Sequence, residues 1–82
     1  MSLDAELFIL SYAKIETALL FTPQNERYIS AKREIEKKLE QEYHITQLQV
    51  MARSVDLYTV AYKEQDEQKI ISFPADEVED FD

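Results

Sequence analysis

The chain reads as an α+β domain: two N-terminal helices packed on a three-stranded antiparallel meander, in the order α-α-β-β-β, with an acidic tail behind it. Three observations predict this. Apolar side chains recur at helical spacing up to Tyr43, the pattern changes to an alternating one after His44, and residues 64–82 hold eight acids against the single base Lys69. At 82 residues there is room for one domain and one core. That domain is assigned to residues 1–73, and residues 74–82 are read as a flexible tail that the fold does not need.

The first segment, Leu3–Phe21, begins with cap and first-turn signals at Ser2 and Asp4 and places Leu3, Leu7 and Leu10 on one stripe. Phe8, Ile9, Tyr12, Ile15, Ala18, Leu19, Leu20 and Phe21 spread over its other sides, and a helix apolar on most sides is buried on most sides. Segment length favours helix. A buried strand over Leu7–Tyr12 is the competing assignment, because periodicity does not separate the two for a short apolar run. Asp4, Glu6, Lys14 and Glu16 interrupt the stretch and argue against a membrane span.

The second segment is amphipathic. Thr22 is the expected cap and Pro23 suits a first helical position, where its missing N–H costs nothing. Tyr28, Ala31, Ile35, Leu39 and Tyr43 form the expected core face. On the opposite face Lys32 and Glu36, and Glu34 and Lys38, are opposite charges four apart. His44 follows as a helix-terminal residue suited to capping. Leu48, Val50 and Ala52 then alternate along one strand and Tyr58, Val60 and Tyr62 along the next, with Arg53, Ser54 and Asp56 as the turn between them. Glu64–Glu67 is a polar connection to a third strand, Gln68–Phe73, which Pro74 ends because it lacks a backbone donor.

Composition excludes more than it identifies. The chain has no cysteine, which removes disulfides and thiolate zinc sites and suits a reducing, cytoplasmic setting. With one histidine, no imidazole pair can hold a transition metal. With no glycine, phosphate-cradling loops, the dinucleotide fingerprint and the nucleophile elbow are absent, and left-handed turn positions must fall to residues such as Asn25 and Asp66. No cofactor, metal site or enzymatic activity is expected. The acids of the tail lack calcium-loop spacing, and a carboxylate-based metal enzyme carries little weight. The bases of the second helix are interleaved with Glu26, Glu34, Glu36, Glu40 and Glu42, and the net charge is −8. Direct nucleic-acid binding is therefore not expected, and Tyr58 and Tyr62 read as packing residues rather than base-stacking ones.

What remains is the acidic end, net −7 over residues 64–82. Asp76, Glu77, Val78, Glu79, Asp80 and Phe81 read as a strip that docks on a basic protein surface, with Val78 or Phe81 entering a pocket. If extended, alternate residues would project to one side at about 6.8 Å, which would space Glu77 and Glu79, or Asp80 and Asp82, like successive phosphates. The expected function is a non-enzymatic interaction or regulatory protein, in size and charge similar to small inhibitors that mimic DNA. The alternative is a small homodimeric subunit with an inert solubilising tail. In either case Phe8, Tyr12 and Ile15 are the expected self-association surface.

Overall fold

The structure is a computed structural model that describes residues 3–80. It contains α1 (Leu3–Phe21), α2 (Glu26–Tyr43), β1 (Ile45–Arg53), β2 (Leu57–Glu64), β3 (Glu67–Pro74) and α3 (Ala75–Val78). The strands form one antiparallel sheet in the order β1-β2-β3, so the α-α-β-β-β arrangement is present with one element added at its end. The expected cap Ser2, together with Phe81 and Asp82, lies outside the described residues.

α1 is helical along its whole length, and no strand forms over Leu7–Tyr12. Its buried side is not the leucine stripe. Ala5, Ile9, Tyr12, Ala13, Thr17 and Ala18 face inward, while Leu3 and Leu7 are exposed at 71% and 54%. Small side chains let the helix lie close to its neighbours; Leu3 and Leu7 are left outside that contact, and Leu10 packs only partly against the core. Thr17 pays its hydroxyl's desolvation by donating to the Ala13 carbonyl at 2.8 Å.

The start of α2 corrects the sequence assignment. Thr22 closes α1 instead, its N–H and Oγ1 both donating to the Ala18 carbonyl, at 3.0 and 3.1 Å. Pro23 falls in the connecting turn. Asn25 is the cap: its side-chain oxygen accepts from the N–H groups of Arg27 and Tyr28 at 3.0 and 3.3 Å. Only Leu39 is sealed on the expected core face, and Tyr28 is exposed. The i,i+4 pairs read from sequence give way to Lys32–Glu16, at 2.7 Å across to α1, and Lys38–Glu42 at 3.5 Å. His44 does end the helix, through its backbone: it sits at φ 58° and its N–H donates to the Glu40 carbonyl at 3.2 Å.

β2 and β3 are joined by Gln65 and Asp66, at φ 50° and 70°, the two left-handed positions of a tight hairpin turn. Pairing then runs without interruption from Glu64↔Glu67 to Leu57↔Pro74. β1 is irregular. Its register slips against β2 between Thr46 and Gln49, where Gln47 sits at φ 56°, and again between Val50 and Ala52. The inward face of the sheet carries Tyr58, Val60, Tyr62 and Phe73 into a core shared with Ile9, Leu39, Ile45 and Val78. Ile9, Leu39, Ile45, Val60 and Val78 are fully enclosed, and each such side chain contributes roughly 1.5–3 kcal/mol by leaving water. No helix of the described residues is long and apolar enough to cross a membrane.

Candidate functional site

The acidic end is built into the body of the molecule, which corrects its assignment as a separate flexible tail. Pro74 stops β3, and the Ala75 N–H donates to the Asp56 carbonyl at 2.8 Å, so the chain stays tied to the turn before β2 as it leaves the sheet. One helical turn follows, closed by the Glu79 N–H on the Ala75 carbonyl at 2.9 Å. Ala75 and Val78, three apart, fall on the same side and are both buried, Val78 completely. A chain ending at Phe73 would therefore lose part of the core. The turn also removes the extended phosphate-like spacing expected for Glu77 and Glu79.

A second tether sits beside the first. The Tyr58 hydroxyl donates to the Glu79 carboxylate at 2.7 Å, across 21 residues of sequence. That bond, with burial, holds the Tyr58 pKa above the ordinary tyrosine value; the nearby Arg53 charge works against the rise. Glu79 thus fixes the helix through its carboxylate although it is itself exposed, as are Asp76, Glu77 and Asp80, which make no such bond among the described residues. Among the expected partner-binding residues the structure separates two kinds: Val78 and Glu79 anchor, and Asp76, Glu77 and Asp80 present charge. Phe81 lies outside the described residues.

Glu77 also lines a groove of about 290 Å³ that sequence reasoning did not find. Its apolar walls are Leu3, Leu7 and Leu10 of α1 and Ile71 and Phe73 of β3, and Glu6 stands with Glu77 among the residues around it. The exposed leucines of α1 were legible as a stripe. Their position beside the outer strand was not, because only tertiary packing decides which side of α1 turns inward.

The residues expected for self-association differ in exposure. Tyr12 is buried and its hydroxyl donates to the Leu48 carbonyl at 3.0 Å, a bond that crosses from α1 to β1. Burial holds its pKa well above the ordinary tyrosine value. Phe8 packs its ring 6.2 Å from that of Tyr43 and lies under the Lys38 ammonium at 5.1 Å. Ile15 is half-buried. The three do not form one exposed patch. At the far end of the sheet Lys69 binds Glu64 at 2.8 Å, which lowers the Glu64 pKa and raises that of Lys69. Among the described residues no group of three carboxylate or imidazole side chains is placed to hold a metal ion.

Comparison of the chain with protein-family models, with curated proteins and with solved structures finds no match.

Proposed function

We propose that this chain is a non-enzymatic interaction protein that binds a basic protein surface through its acidic end. One observation carries the reading: the buried Val78 and the Tyr58–Glu79 bond hold α3 in place, so Asp76, Glu77 and Asp80 are displayed from a fixed support. Charges held in position lose less conformational freedom on binding than charges on a loose terminus, and a net charge of −8 steers a cationic partner toward them. A protein that ordinarily binds nucleic acid has a surface of the required sign, so inhibition by occupying a nucleic-acid site is the regulatory role this favours.

The test is affinity capture with the intact chain and with a variant carrying Asp76→Asn, Glu77→Gln and Asp80→Asn, each at low and high salt. These three side chains are exposed, so the variant keeps the fold that a truncation would damage. Captured partners are expected to be lost in the variant and at high salt, and to be displaced by DNA. Equal capture by both chains at both salt concentrations overturns the proposal. A homodimeric subunit is the second reading, favoured by Leu20 and Phe21, which are exposed at 59% and 79% at the end of α1. Light scattering that gives a monomer mass at high concentration rejects it.

A further inference from the structure

The two outer edges of the sheet differ. β1 is broken twice by register slips, which twist and interrupt an edge and are a common way of discouraging another strand from pairing with it. β3 pairs with β2 in unbroken register over all eight of its residues, and among the described residues no strand covers its other side.

The hydrogen bonds fix which backbone groups that outer side exposes. The Ser54 N–H donates to the Leu57 carbonyl at 2.9 Å and the Gln65 N–H to the His44 carbonyl at 3.1 Å, so the odd-numbered residues of β2 turn their backbone groups toward β1. Its even-numbered residues then turn theirs toward β3, where Tyr58, Val60, Tyr62 and Glu64 face Phe73, Ile71, Lys69 and Glu67. Gln68, Ile70 and Ser72 are left with N–H and C=O groups pointing outward. Pro74 falls in the same outward set, where its missing donor costs the β2 ladder nothing.

The groove lined by Leu3, Leu7, Leu10, Ile71 and Phe73 lies along this edge, with Glu6 and Glu77 beside it. Lys69 is the one base on β3, and its ammonium is held on Glu64 of β2, so it does not stand in the way of an approaching strand. From these features we infer that β3 takes an extended basic segment of the partner protein as a fourth, antiparallel strand. The inference rests on the function proposed above and supplies its route. Main-chain bonds form at Gln68, Ile70 and Ser72. The partner's inward side chains lie alternately in the groove, apolar ones against Ile71 and Leu7 and cationic ones at Glu6 and Glu77. A second copy of this chain is the poorer occupant, because each copy would bring a charge of −8 to an edge rimmed with carboxylates.

The probe is the capped peptide acetyl-Arg-Thr-Val-Thr-Val-Thr-Arg-amide, whose arginines and valines share one face. In the proposed pairing its valines stand opposite odd-numbered residues of β3, and its threonines stand opposite Gln68, Ile70 and Ser72, so the threonine N–H groups face the edge. Titration followed by amide NMR is expected to shift Gln68, Ile70 and Ser72, with affinity falling as salt rises. N-methylation of the three threonines is expected to weaken binding at least about tenfold, the loss of about 1.4 kcal/mol or more. N-methylation of the two valines is expected to change it less than about twofold, since those groups point away from β3. Ser72→Pro removes an outward donor without touching the β2 ladder and is expected to weaken binding while the far-UV spectrum is kept.

Equal effects of the two methylated peptides, or no shift at ~1 mM peptide, overturn strand addition. The function proposed above fails separately: a peptide with Glu in place of Arg that binds as tightly removes the basic partner and leaves the strand addition standing. A chain that is dimeric by light scattering and becomes monomeric on Ser72→Pro assigns the edge to a second copy and also overturns the inference.

Discussion

α1 and α2 are close in length, 19 and 18 residues, and opposite in how they meet the core. α1 is apolar on most sides and seals a narrow band of mostly small residues, leaving Leu3, Leu7, Leu20 and Phe21 outside. α2 carries its apolar residues on one side, as an amphipathic helix should, yet encloses only Leu39. The difference lies in what stands opposite each helix. α1 is bordered by α2, β2 and α3, whereas α2 meets α1 and the irregular strand β1. An apolar stripe therefore says which side of a helix is available for burial. The neighbours decide how much of it is used.

The largest test of this contrast is Ile9→Ala against Ile35→Ala. Ile9 is fully enclosed on α1, and its truncation is expected to cost about 2–5 kcal/mol in denaturant unfolding. Ile35 is only half-buried on α2 and should cost about 1 kcal/mol. Equal losses would mean that the two helices contribute alike and that the contrast is wrong.

Alkaline unfolding comes next. Tyr12 on α1 and Tyr58 and Tyr62 on β2 all have folded pKa values raised above the ordinary tyrosine value, as does Lys69 above that of lysine. Their contribution is fully present below the unfolded values near 10 and is lost as pH climbs through the folded ones, because the unfolded chain gives up these protons first. Stability is expected to fall steadily above about pH 10, with the tyrosinate absorbance of Tyr12, Tyr58 and Tyr62 appearing at the unfolding transition rather than before it. Early ionisation of all the tyrosines in the folded protein would contradict the burial of Tyr12. At the acid end, the depressed pKa of Glu64 gives a contribution present above its unfolded value and lost as pH falls through the folded one.

A smaller effect sharpens the account of α2. Asn25→Ala removes the cap and is expected to cost about 1 kcal/mol. Thr22→Val, which keeps shape and loses only the bond to the Ala18 carbonyl, should cost less than Asn25→Ala in thermal unfolding. The reverse order would restore the Thr22–Pro23 helix start expected from sequence. Smallest of all, Glu42→Gln breaks only the exposed pair with Lys38 and should change stability by about 0.5 kcal/mol or less, within the scatter of replicate melts.

The order of elements was legible because two different periods stand side by side in the chain, changing at His44. Pro74 and Asp66 marked a strand end and a turn for reasons that the backbone confirms. The side of α1 that turns inward was not legible, since with apolar residues all round it local pattern prefers no direction. Nor was the pairing slip at Gln47, where nothing in Ile45–Val50 announces an extra residue. The acidic end was noticed for its charge, and Val78 was read as a residue for a partner's pocket when it fills this chain's own core. Val78 sits among acids, and Ala75 is too small to register as a core position, yet together with Glu79 they bring that end into the fold.

The absence of glycine has a consequence for how far this protein stands from its own stability ceiling. His44, Gln47, Gln65 and Asp66 hold positive φ angles between 50° and 70°, each with a β-carbon that crowds the following carbonyl. Where the backbone is so placed, Asp66→Gly or Gln47→Gly should raise stability by about 1 kcal/mol, relief of native crowding outweighing the extra freedom given to the unfolded chain. The improvement lies within reach of single substitutions that alter no side-chain contact of the core.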